Sequence, residues 1–197
     1  VLLERDLFAR GRKIDFRRRG SRADGKFDIV NRNSGFQELV GRGAMGRVFA
    51  AVDDHTGRKV AIKFLNADLE DEPDIRARFF REAQAAARLG QRNVITIYDL
   101  GEDGGRPFIV MELLRGWTLP NYLNEVAVDL ERKVELMIQL CDGMAAAHAE
   151  KIIHRDLKPG NLFVQADGLL KVLDFGVARL ASSSMATAGA QPGTLHY

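Results

Sequence analysis

The 197-residue chain is 46% hydrophobic and 28% charged with a net charge of +2, a globular composition. Its one cysteine, Cys141, excludes an internal disulfide framework and fits a reducing compartment. No apolar run approaches the roughly 18 residues that a bilayer-spanning helix needs.

Residues 1–35 hold ten Lys or Arg against five Asp or Glu, a balance of +5 that leaves −3 for the remainder. The run RRRGSRADGK at 17–26 shows little apolar periodicity, so 1–35 is predicted to be a flexible basic extension. A solvated tail is preferred here to a nucleic-acid or membrane-surface arm.

From Phe36 the texture changes. FQELV (36–40), RVFAAVD (47–53) and KVAIKFL (59–65) read as strands, the last two joined by the Gly-containing hairpin signal DHTGR. A helix follows in EPDIRARFFREAQAAARLG, with Pro73 near its start and Gly90 at its end. VITIYDL (94–100) and PFIVMELL (107–114) read as strands around EDGGR. Helical patterns return in LPNYLNEV and in 129–151, and then a hairpin is expected around Asp167–Gly168. The order, β-β-β-α-β-β then mostly α, predicts an α+β fold with a sheet lobe and a helical lobe. ASSSMATAGAQPG (181–193) reads as a mobile loop.

Several residues sit oddly in this plan. In GRGAMGRV, Gly41, Gly43 and Gly46 let backbone amides approach phosphates. They lead from a strand into another strand, which disfavours a dinucleotide fold and suits a hairpin laid over phosphates. Lys63 lies in an apolar β-run, where a lysine ordinarily marks a solvent-facing position. Ile75, Phe79, Glu82 and Ala86 share one helix face, so Glu82 interrupts an apolar stripe and needs a cationic partner. Lys63 is the candidate, and one ion pair would explain both anomalies.

KIIHRDLKPGNLFV (151–164) crowds His154, Arg155, Asp156, Lys158 and Asn161 between apolar runs. LDFG puts Asp174 at the end of another apolar run. Asp156, Asn161 and Asp174 carry oxygens suited to Mg²⁺. His55, His148, His154 and His196 share no close metal-ligand spacing, so zinc is not expected.

The glycine loop, VAIK, the helical glutamate, HRDLKPGN and DFG stand in the order of the protein-kinase signature set. The chain resembles a protein kinase, especially the eukaryotic-type serine/threonine kinases of bacteria. The resemblance implies a bilobal fold, with an N-lobe over 36–112 and part of a C-lobe over 113–197. It implies ATP and Mg²⁺ as cofactors, with Mn²⁺ as a substitute, and protein Ser/Thr hydroxyls as substrates. The loop Gly41–Gly46, including Arg42, Ala44 and Met45, would cover the phosphates, with Val40 and Val48 above the adenine. Ala61 and Phe163 would sandwich the base. Glu112 and Leu114 would offer hinge backbone bonds behind a gatekeeper, Met111. Lys63 would hold phosphates and pair with Glu82, and Asp156 would accept the substrate proton. Lys158 would contact phosphate, and Asn161 and Asp174 would bind Mg²⁺.

Arg155 could pair with a phosphate on the following segment, where Thr187 is the favoured regulatory site. Self-association for autophosphorylation and a cytoplasmic location are further expectations, the parent being free to carry a membrane anchor. The family's APE-like motif does not appear before Tyr197, so the chain reads as a kinase domain cut short. The competing reading is an ATP-binding or regulatory module without phosphotransfer.

Overall fold

Strand β5 (Lys59–Leu65) is buried at every position after its first, although it carries a lysine. A strand buried on both faces must be covered twice, and the computed structural model shows how. The structure describes residues 13–18, 24–29, 39–43, 45–53 and 56–175.

The larger sheet contains β1 (Lys13–Arg18), β2 (Asp24–Ile29), β3 (Leu39–Arg42) and β4 (Gly46–Asp53). Beyond β5 come β6 (Ile97–Asp103) and β7 (Arg106–Glu112), giving the order β2-β1-β6-β7-β5-β4-β3. Because β2 also pairs with the end of β4, the ring β4–β5–β7–β6–β1–β2 closes on itself. Phe49, Ala51, Val60, Ile62, Phe64, Phe108 and Val110 form one core cluster on the enclosed face. Helix α1 (Pro73–Ala87) covers the other face, packing Phe79, Phe80 and Ala83 against Met45, Leu65 and Ile109. Pro73 opens α1, where its missing N–H costs nothing.

The second lobe is built on β8 (Gly116–Thr118), β9 (Leu162–Gln165) and β10 (Leu170–Val172), in the order β10-β9-β8. Helices α2 (Leu119–Glu125) and α3 (Leu130–Ala149) join it. Asp129 caps α3 by accepting from the Arg132 amide at 2.8 Å. Leu136, Leu140 and Ala147 of α3 pack on Leu162, Val164, Leu170 and Val172. The opposite side of α3 leaves Leu130, Val134, Met137 and Ile138 exposed.

The α+β plan and most predicted elements are present, with three corrections. Residues 1–35 were expected to be flexible, yet 13–18 and 24–29 are sheet strands. Ile14 and Phe16, then Phe27 and Ile29, supply a two-residue alternation that the surrounding charge obscures. The strand expected at 94–100 begins at Ile97, because 93–95 pairs with β10 instead. Strand β8 was not foreseen. Gly116 carries it at φ +146°, where a Cβ would stand 2.1 Å from the Val164 carbonyl oxygen.

Candidate active site

Sheet register assembles the first wall of a cleft. Gly41 lies opposite Val48 and Val48 opposite Lys63, while Ala50, Ala61 and Met111 form the neighbouring row. Residues directly opposite share a face, and so do residues two apart, so Val48, Lys63, Ala50, Ala61 and Met111 all face one way. Ala50 and Ala61 put small side chains on the face that carries Lys63. The loop between β3 and β4 is closed by the Gly43 amide donating to Gly46 O at 2.9 Å. Gly46 cannot be replaced freely, since a Cβ there would sit 2.2 Å from the Phe64 carbonyl oxygen. Arg42 and Gly43 of the loop are exposed, Met45 is buried and Val40 is exposed on β3; Ala44 lies outside the described residues.

The second wall is the loop 154–161. His154 is 1% exposed; its Nε2 lies 2.8 Å from Leu173 O and its ring 4.8 Å from that of Phe175. The Asp156 amide donates to His154 O at 2.9 Å. Asn161 Nδ2 donates to Asp156 O at 2.8 Å and to Asp156 Oδ2 at 3.0 Å. Lys158 Nζ stands 2.8 Å from the same Oδ2. The Leu173 amide donates to Asn161 O at 2.8 Å, which ties the loop to the approach to Asp174. Arg155 and Asp174 have φ of +65° and +46°, a region costly for non-glycine residues and sustained only by a surrounding network. Phe163, on β9, is half-buried opposite Lys171 and Thr118.

The walls meet at Lys63, whose Nζ lies 2.5 Å from Asp174 Oδ1. This corrects the expected Lys63–Glu82 pair. Among the described residues, Glu82 has no ion-pair partner, and its Oε2 is buried without a hydrogen bond. Burial pushes the Glu82 carboxyl up to about 7 despite the opposing pull of Arg78, Arg155, Lys63 and Arg81. Arg78, Arg81, Lys151 and Arg155 line a cavity of about 280 Å³ around Glu82. Asp174, with its αL backbone and half-exposed side chain, is the carboxylate that Lys63 meets.

The Asn161 side-chain amide nitrogen is committed to Asp156 through both of its bonds, and Oδ1 is the acceptor that remains. The Asp174 side chain is 44% exposed. An amide oxygen and a carboxylate make an incomplete set of hard donors, as Mg²⁺ accepts when phosphate oxygens and water complete it. Among the described residues, no three His, Cys, Asp or Glu converge on one point.

A lysine beside a glycine turn thus stands across from an aspartate, with an asparagine, a second aspartate and a second lysine clustered nearby. The sequence model described as "Protein kinase domain" matches residues 35–197. The chain belongs to the protein kinase domain family. It is 40% identical over 167 residues to the probable serine/threonine-protein kinase PknB of Corynebacterium glutamicum, covering 81% of this chain and 26% of that protein. It is 36% identical over 180 residues to the serine/threonine-protein kinase PrkC of Bacillus subtilis, covering 90% and 27% respectively. The solved PpkA-294 apo form shares the fold with a TM-score of 0.70 at 26% identity, over 82% of this chain and 63% of that one. This kinase domain therefore spans about a quarter of the length of the curated relatives it matches. Protein kinases generally use ATP and Mg²⁺. No helix among the described residues is long and apolar enough to cross a membrane.

Sequence reasoning missed a second buried lysine, Lys171, and its partners. The signal was present: LKVLDFG sets a lysine in an apolar run just as VAIK does.

Proposed function

We propose that this chain carries the nucleotide site and catalytic loop of a serine/threonine protein kinase of bacterial signalling. The observation that carries the reading is the approach of Lys63 and Asp174 across the cleft at 2.5 Å, beside the Asp156–Asn161–Lys158 cluster. Gly41, Gly43 and Gly46 cover the phosphates, Ala61 and Phe163 flank the adenine, and Glu112 and Leu114 offer it hinge backbone groups. Lys63 neutralises phosphate oxygens. Asp156, oriented by Asn161, accepts the proton of a Ser or Thr hydroxyl as that oxygen bonds to the γ-phosphorus and the bond to the β-phosphate oxygen breaks. Lys158 stabilises the charge on the transferred group. Asn161 and Asp174 would hold Mg²⁺, or Mn²⁺ in its place, which supplies charge neutralisation on the phosphates. The substrates are protein Ser/Thr residues, and the domain works on the cytoplasmic side, with self-association permitting autophosphorylation.

Thr187, outside the described residues, is the regulatory site on this reading. The cavity lined by Arg78, Arg81, Lys151 and Arg155 supports it, because four cations around one carboxyl suit a phosphate. A second reading, nucleotide binding without transfer, is favoured by one observation: among the described residues Glu82 has no ion-pair partner and its Oε2 no hydrogen bond.

The test is transfer of the ATP γ-phosphate, with Mg²⁺, to a basic protein and to the chain itself. Asp156→Asn is expected to lower transfer by at least about a hundredfold. Transfer that survives Asp156→Asn rejects the assignment, and Mg²⁺-dependent ATP binding without transfer selects the second reading.

A further inference from the structure

Lys171 lies in β10 between Leu170 and Val172, is 5% exposed, and has no part in the chemistry described above. Its Nζ stands 2.5 Å from Glu112 Oε1 and 3.4 Å from Val94 O. The same Oε1 accepts from the Thr96 amide at 2.7 Å, and Thr96 O accepts from the Glu112 amide at 3.0 Å. Alongside, the Ile95 amide donates to Val172 O at 3.0 Å and the Val172 amide to Asn93 O at 2.7 Å. Asn93 Nδ2 adds a bond to Leu170 O at 2.9 Å.

Three segments far apart in sequence thus converge on one buried ion pair. They are the hinge end of β7, the connection 93–96 between α1 and β6, and β10, which reaches Asp174 two residues after it ends. Stability alone does not call for charge here, because apolar residues of similar volume usually serve a core as well or better. What an ion pair adds is a fixed mutual geometry: Glu112 has one position in which Oε1 meets both the ammonium and the Thr96 amide. Its side chain points away from the cleft, on the face opposite Met111, so the pair holds the hinge from behind.

We propose that Lys171 and Glu112 form an interlobe pin, and that Lys171 is a positioning residue for nucleotide binding. The pin sets the hinge backbone that receives the adenine in register with the strand that delivers Asp174. Lys171 itself touches no substrate. The inference rests on the ATP-binding reading of the cleft.

Two measurements on the 197-residue chain test it: ATP dissociation constants, and hydrogen exchange of the amides at 93–96 and 110–116. Lys171→Met is expected to raise the ATP dissociation constant by roughly tenfold and to speed exchange of the Ile95, Thr96 and Glu112 amides. Glu112→Gln, which keeps an acceptor for Thr96, should produce a similar but smaller change. Lys171→Arg should recover most of the affinity, and Lys171→Met with Glu112→Gln should be no worse than Lys171→Met alone. Faster exchange in Lys171→Met with an unchanged dissociation constant makes the pair merely structural and overturns the proposal. Additive losses in the double variant overturn the pairing itself. Should the unsubstituted chain bind no ATP, the kinase reading fails and the nucleotide role falls with it, while the exchange data still decide whether the pin exists.

Discussion

The loop at 154–161 and the lysine of β5 border the same cleft, yet their polar groups are satisfied in opposite ways. In the loop, each of His154, Asp156 and Asn161 is bonded to a neighbour within a few residues or to the strand end at Leu173. On the other wall, Lys63 has reached across to Asp174, and Glu82, on α1, keeps a buried oxygen with no partner among the described residues. The difference is one of sequence distance. Asn161 is five residues from Asp156 and is brought there by a single turn of 3₁₀ helix at Pro159–Asn161. Lys63, Glu82 and Asp174 belong to three separate parts of the chain, and nothing local decides which carboxylate the lysine meets. The loop is fixed by local structure, whereas the partner of the lysine is set by how distant segments pack.

Breaking the labile side should cost the most in function and little in stability. Lys63→Met is expected to reduce phosphoryl transfer by about a hundredfold to a thousandfold, since on the proposed reading it removes the charge that meets the phosphates. The Asp174 carboxylate it leaves behind is 44% exposed and can take water, so unfolding should change by less than about 1 kcal/mol. Breaking the fixed side should do the reverse. His154→Ala removes a fully buried ring, its bond to Leu173 O and its contact with Phe175, at about 3 kcal/mol in a urea titration. If Lys63→Met destabilises the chain as much as His154→Ala does, the two walls are not held by different means.

The same division governs what could be read in the sequence. The loop at 154–161 was legible because its residue types and its geometry are both local: HRDLKPGN puts Asp156, Lys158 and Asn161 within six residues. Glu82 was legible as an anomaly, a carboxylate in the Phe79–Ala86 stripe, and the anomaly is real. Its partner was not, because spacing along α1 says nothing of how far that helix stands from β5. Strands β1 and β2 were hidden for another reason. Their alternation is only two apolar residues long, and a pairing with β4 and β6 decides their state. Lys171 stood in plain view and was passed over, since an apolar run with one lysine acquires meaning only when Glu112 is found beside it.

A gentler substitution sharpens the comparison. The Glu82 carboxyl is raised by burial to about 7 from 4.5, so between those values the folded chain keeps a proton that the unfolded chain releases. Stability from this group is full below about pH 4.5 and is lost as the pH rises through about 7. Glu82→Gln keeps the shape and cannot ionise. Its Tm should match that of the unsubstituted chain near pH 4 and exceed it near pH 8 by about 6–12 °C, from about 3 kcal/mol of linkage at roughly 2–4 °C per kcal/mol for this size. The difference between the two chains cancels the titration of every other group that the substitution leaves alone. The opposite result, a lower Tm for Glu82→Gln at pH 8, would mean that Glu82 is ionised and paired in solution. Lys63 is the partner that the sequence nominates for it, and the lysine would then divide its time between α1 and Asp174.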